Sequence, residues 1–275
     1  FMKKSKLQLA VALLFISGSL FAQESAEELA KAAQNPLANI MSFPFQNNTN
    51  FGYGPENDRA QNILNIQPVV PLMDGKIITR TILPILWQPD FEEASGTKTG
   101  ISNVQFTAFY VPKSKGIIWG VGPIVSFPAA NASFGSKKLS VGPSLVVLKM
   151  GAKWVYGGII NNTWSVAGPS DVEDVSSFYS QIFVNYNLPK GLYINTAPVI
   201  TANWEAEEGQ KWTVPVGAGI GKIVKLGGKL PINFQAGYYY NVVSPDFGPN
   251  SQLRLQATVM LPTSILKKST TSTTK

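Results

Sequence analysis

Two arginines, Arg80 and Arg254, stand deep inside segments that alternate apolar and polar residues and contain no comparably placed carboxylate. A guanidinium is planar, permanently charged and rich in donors. Away from any acid, such a pair forms a positive field that attracts and orients an anion, or it bonds amides and carbonyls as a structural brace. Both roles remain open on the sequence alone. The amides on the same phase of these segments are Gln67, Asn103, Gln105, Gln181, Asn195, Asn233, Gln235 and Gln256. With the arginines they are the candidates for a constriction. Ile78, Ile82, Tyr179, Phe183, Tyr193 and Tyr239 share that phase, and the mixture suits small solutes that are weakly polar, aromatic or anionic.

Other chemistries are excluded by composition. The chain has no histidine and no cysteine, which removes Ser-His-Asp and Cys-His catalysis, disulfides and zinc sites of the usual N/S type. No serine is flanked as a nucleophile elbow, so an enzyme acting on lipid lacks both base and nucleophile. The paired acids Glu92-Glu93 and Glu207-Glu208 lack the spacing of a calcium loop. Neither a metal nor a cofactor is expected. The net charge of +7 does not point to nucleic acid, because much of the excess lies in Lys3, Lys4, Lys6, Lys267, Lys268 and Lys275. What remains between residues 36 and 264 is nearly balanced.

The elements that must position these residues announce themselves through their connections. Short turns, such as Asp74-Gly75, Pro112–Gly116, Lys149–Lys153, Leu188–Gly191 and Lys225–Lys229, recur at one per hairpin and are rich in lysine. The longer connections between them hold every acidic residue from 36 to 264 except Asp74. A chain with two such distinct ends is built like an outer-membrane β-barrel, with short periplasmic turns and long external loops. The pattern predicts twelve strands, at about 37–46, 60–72, 76–88, 101–112, 117–127, 138–149, 153–163, 175–187, 191–204, 211–223, 229–242 and 251–262. Most are long enough to cross a bilayer with tilt. In 101–112, Asn103, Gln105 and Thr107 oppose Val104, Phe106 and Ala108; in 251–262, Gln252, Arg254 and Gln256 oppose Leu253, Leu255 and Ala257. An arginine facing lipid at mid-depth costs about 2–4 kcal/mol, so the polar face is expected to line the lumen.

Tryptophans cluster near the strand ends as two girdles would, Trp87, Trp164, Trp204 and Trp212 toward the long loops, and Trp119 and Trp154, with Tyr193, toward the turns. The prolines within strands, including Pro68, Pro84, Pro123, Pro143, Pro198, Pro215 and Pro231, require bulges or gaps, because each removes a ladder donor. The repeated Val121-Gly122-Pro123 and Val141-Gly142-Pro143 suggest one bulge per strand.

The single antiparallel transmembrane barrel is thus expected over 37–263. Residues 1–22 read as a signal peptide, with a lysine-rich start and an apolar stretch ending at Phe21-Ala22, which implies export toward the outer membrane. Over 23–36, Ser25 and Glu28 form a capping-box pattern ahead of helix formers that stop at Asn35-Pro36. Glu24, Glu27 or Glu28 could draw this helix to the periplasmic mouth by pairing with Arg80, as a plug. The Ser/Thr/Lys stretch 264–275 reads as disordered.

Several stretches carry a family resemblance: Asn35–Ile40, Phe45–Asn48, Asn65–Pro71, Gly120–Pro123, Ser140–Ser144 and Tyr193–Pro198. Over about 36–264 the chain resembles bacterial outer-membrane proteins labelled transporter or neuromedin U-like, related to barrels found with meta-pathway phenol degradation genes. The resemblance implies an outer-membrane barrel passing small molecules, surrounded by outer-membrane lipids and lipopolysaccharide and inserted by the outer-membrane assembly machinery. It supplies no catalytic residue. One departure is that the last strand ends at Leu261-Pro262 rather than on an aromatic. A structural or adhesive barrel without transport is the alternative.

Overall fold

The computed structural model describes residues 25–91 and 96–263. The expected signal peptide, Glu24, the Glu92-Glu93 pair and the 264–275 tail lie outside the described residues. The chain opens with helix α1, Ala26–Ala33, whose first turn is closed as expected: Glu28 N–H donates to Ser25 Oγ and Ser25 N–H to the Glu28 carboxylate, each at 3.1 Å.

Fifteen strands follow. They are β1 Met41–Tyr53, β2 Arg59–Ile66, β3 Val69–Leu72, β4 Ile77–Pro89, β5 Thr97–Ile101, β6 Gln105–Tyr110, β7 Ile117–Ser126, β8 Leu139–Met150, β9 Trp154–Ala167, β10 Ser176–Asn187, β11 Leu192–Thr196, β12 Val199–Asn203, β13 Trp212–Leu226, β14 Leu230–Val243 and β15 Ser251–Leu261. All pair antiparallel in one sheet, and β15 returns to β1 from Met41↔Leu261 to Phe51↔Ser251, closing a twelve-stranded barrel. Fifteen segments make twelve staves because three staves are broken, at Gln67-Pro68, at Ser102–Val104 and at Ala197-Pro198.

The first stave corrects the expected 37–46. It starts later and runs on through Asn47-Asn48-Thr49-Asn50, residues that disfavour strands in isolation. Ladders on both sides override that preference, and the side chains satisfy one another: Gln46 donates to Asn48, Asn50 to Gln61 and Thr49 to Asn62. Asn103 is a second correction, since it sits in a stave break rather than within a strand. The Gly-Pro repeats are a third, for they are not bulges. Thr107↔Ile124 and Tyr110↔Val121 keep one register across Gly122-Pro123, as Val141↔Trp164 and Ser144↔Asn161 do across Gly142-Pro143. Pro123 and Pro143 face each other. At each gap the neighbouring strand crowds in, and a Cβ on Gly122 or Gly142 would collide with the carbonyl of Ala108 or Asn162. Pro215, by contrast, does mark a register shift against β14.

Many of the outward-facing side chains are large and apolar. Toward the long loops Phe178, Trp204 and Trp212 cluster, Trp212 edge-on to both of the others, with Trp204 and Trp212 centroids 5.2 Å apart; toward the turns Trp154 packs on Tyr186 at 4.7 Å. Tyr193 does not join this girdle. It is buried inside, because its phase on β11 points to the lumen.

The lumen itself has two halves. On the turn side it is a packed core, with Ile78, Phe109, Val146, Leu148, Val155, Ile159 and Phe183 gathered around Leu37. Beside them Leu29 and Ala30 of α1 are fully buried against Tyr193, Ile223 and Met260. Here β8 and β9 are apolar on both faces, so the expected polar inward face is absent. On the loop side the inward face is polar.

Candidate functional site

Two cavities occupy the lumen. The loop-side chamber holds about 780 Å³ and the inner chamber, between it and α1, about 170 Å³. Four side chains border both: Gln46, Gln67, Arg80 and Gln181. Arg80 is the one charged group among them. It projects from β4, where its backbone pairs with Val69 and Thr107, and Nη2 donates to Gln67 Oε1 at 2.6 Å. Gln67 is itself fixed by the break after β2, its N–H donating to the Pro44 carbonyl at 2.9 Å. The arginine is half-buried, so part of its donor fork faces the junction of the chambers.

Arg254 is placed differently. Only 4% exposed, it donates from Nη1 to the Ala197 carbonyl at 2.8 Å and from Nε and Nη2 to Gln252 Oε1, with its guanidinium 4.6 Å from the Tyr239 ring centroid. The Ala197 N–H donates in turn to the Tyr239 hydroxyl at 3.2 Å. The stave break at Ala197-Pro198 leaves both Ala197 backbone groups without a ladder partner, and a buried unpaired group costs about 1–3 kcal/mol. Tyr239 and Arg254 satisfy them. The two arginines are thus placed differently: Arg254 braces the Ala197 break at the edge of the loop-side chamber, whereas Arg80 borders both chambers.

The remaining candidates fall on both chambers. Asn103 and Gln105 border the loop-side chamber, and Asn195, Asn233, Gln235 and Gln256 the inner one. Asn233 accepts from the Tyr193 hydroxyl at 2.9 Å, Gln256 donates to Thr258, and Tyr179 donates to Gln181. Asn195 Oδ1 is buried without a partner. The Tyr193 ring lies flat on β13 because Gly221 faces it; a Cβ there would overlap the phenol.

Asn103 has a more specific duty. Its amide donates to the Phe127 and Ser136 carbonyls, at 2.8 and 2.7 Å, and its Oδ1 accepts from Ser136 N–H. It thereby holds the 127–138 loop, whose Ala132, Gly135 and Ser136 border the chamber. Lys138 then ion-pairs with Asp174 of the 168–175 loop at 2.9 Å. The bonds from Lys138 and Ser165 hold the Asp174 carboxyl below the usual carboxylate range.

Among the described residues, the expected contact of Glu27 or Glu28 with Arg80 does not form. Helix α1 does fill the turn-side mouth, but Glu27 accepts from the Lys190 backbone N–H at 2.6 Å and Glu28 is used in the capping box. Backbone donors lower the Glu27 carboxyl. Gln34 and Asn187 exchange reciprocal bonds at 2.9 and 3.1 Å. Backbone groups of a nearby turn outcompete a side chain that is already paired with Gln67.

Gln46 was missed as a site residue. A signal existed: Ser42, Pro44, Gln46, Asn48 and Asn50 alternate with Phe43, Phe45 and Phe51, but the asparagine run hid the strand that carries them.

The architecture has known counterparts. The NanC porin superposes with a TM-score of 0.53 at 8% identity, covering 80% of this chain and 98% of its own. An outer membrane channel from Pseudomonas putida F1 gives 0.55 at 18% identity, covering 81% and 94%. The fold is that of an outer-membrane β-barrel. No family model and no curated protein matches the chain.

In such a fold the outward apolar wall meets lipid. The staves place Arg80 and Arg254 on the lumenal phase, away from lipid, and Lys149 and Lys222 lie outward near the turn-side ends of β8 and β13, where long stems reach an interface.

Proposed function

We propose that the protein is a passive outer-membrane channel for small solutes, favouring anions that carry an apolar or aromatic body. The carrying observation is Arg80, the one charged side chain bordering both lumenal chambers. At that junction an anion exchanges hydration for a preorganised guanidinium, while Ile63, Ile82, Leu86 and Tyr179 along the loop-side chamber accept an apolar body. The chain would be exported through residues 1–22 and inserted by the outer-membrane assembly machinery, with lysine-rich turns facing the periplasm. It would share its role with the transporter-labelled, neuromedin U-like barrels that it resembles. Planar-bilayer reversal potentials under a salt gradient test this reading. Arg80→Glu should move selectivity toward cations, and unchanged selectivity would remove the proposed role of Arg80.

A second reading, a structural or adhesive barrel without transport, is favoured by α1, which occupies the turn-side mouth. Liposome swelling with sugars, amino acids and aromatic acids separates the two. Permeation by the full chain, or by a chain lacking residues 25–34, supports a channel; none by either supports the structural role.

A further inference from the structure

The outward wall is not uniformly convex. Across β1, β15, β14 and β13 lies a concavity of about 610 Å³. Its floor is low because Ala236 and Ala257 fall on neighbouring strands, while Phe45, Phe234 and Leu255 stand about half-exposed around it. The registers Ala236↔Leu255 and Phe234↔Ala257 alternate small and large residues, so the hollow is built into the wall. A bilayer must fill it, because an empty apolar cavity forfeits dispersion contacts on all sides.

One charged side chain borders the hollow: Lys222, exposed on the outward phase of β13 and paired with Leu192 and Phe234. It lies four residues before the strand ends at Leu226. With strand rise and tilt, this places its Cα about 10 Å above the turn-side end. From there an extended lysine stem brings the ammonium to headgroup level. The flanking turns add exposed Lys190 and Lys229 at the same end.

We propose that this hollow binds one anionic diacyl phospholipid, with an acyl chain between Phe45 and Phe234 and the phosphate held by Lys222. The proposal rests on the membrane placement given above but not on solute passage. Positive charge near an anionic headgroup is worth about fivefold in affinity per lysine, and a zwitterionic headgroup gains less.

The test uses the full chain purified in mild detergent and offered equal amounts of phosphatidylglycerol and phosphatidylcholine, with retained lipid read by native mass spectrometry. One phosphatidylglycerol should be retained, about fivefold over phosphatidylcholine. Lys222→Ala should abolish that preference while binding persists. Ala257→Trp should exclude lipid with Lys222 intact, and Ala236→Phe should do the same if the tryptophan variant does not give the folded, heat-modifiable band. Equal retention of the two lipids by the unaltered chain, or undiminished retention in the filled variants, would overturn the site. Retention of lipid A in place of phosphatidylglycerol would also overturn it, because the lysine end would then face the opposite leaflet. Swelling and reversal potentials are independent of these outcomes, so failure of this site leaves the channel reading standing, and the converse.

Discussion

The two ends of the same barrel are built on opposite principles. The turn-side half of the lumen is packed along β8 to β10 like the interior of a soluble protein, with Leu148, Val155, Ile159 and Phe183 inside the wall and α1 closing the mouth, and it leaves a small amide-lined inner chamber beside them. The loop-side half is a polar chamber lined by amides, hydroxyls and charges. The same staves run through both, so the difference lies in which side chains occupy the inward phase at each height. A barrel of twelve strands leaves more interior than side chains alone fill; here the turn-side half is completed by a helix and by aromatic rings.

If that contrast is correct, an equivalent change should cost far more in one half than in the other. Leu148→Asn places an amide in the packed half with no partner to meet it, and should lower stability against urea by about 3 kcal/mol. Gln105→Val in the polar chamber should cost less than about 0.5 kcal/mol. Equal losses would mean that the turn-side half is hydrated as well.

Arg254→Met tests the border next. It leaves the Ala197 carbonyl and Gln252 Oε1 without their arginine donors beside Tyr239, and a loss of about 2 kcal/mol is expected in urea unfolding, with anion selectivity retained. Arg80→Met should show the converse, little change in stability and a loss of selectivity. Identical behaviour of the two variants would erase the distinction between brace and solute-contacting group.

Leu29→Ala acts on the closure itself. Burial of that side chain against Tyr193 and Met260 holds α1 in the mouth, and its truncation should loosen the helix by about 2 kcal/mol. Single-channel conductance should rise, and the two halves should become more alike in amide exchange.

The smallest effect is that of pH. The Glu27 carboxyl is lowered in the folded state by backbone donors, chiefly those of its own residue and Lys190. Its latching contribution is therefore complete above the unfolded carboxylate pKa and is lost as pH falls through the folded value. Acidification below about pH 4 should raise conductance in the unaltered chain. In Glu27→Gln, where that carboxylate is already absent, the same step should be weaker.

Much of the fold was legible because strand period, turn chemistry and the split between acidic loops and lysine turns are local signals that a barrel repeats. The stave breaks were legible only as misplaced prolines, since proline states that a donor is missing and not where the chain finds its substitute. Of the candidate site, the lumenal phase of Arg80, Gln67, Gln105 and Gln181 followed from alternation. The inward apolar residues of β8 and β9 did not follow. A strand that is apolar on both faces has no readable phase, and whether its inner side meets water or a helix depends on residues more than a hundred positions away.

The sequence by itself determined a closed antiparallel barrel with two chemically distinct ends, because alternation and turn composition act between neighbours. Only the tertiary structure decided that Arg254 braces the Ala197 break while Arg80 borders both chambers. Hydrogen-bond partners across a lumen are set by ring closure and register, which bring Ala197, Tyr239 and Arg254 together from three separate staves.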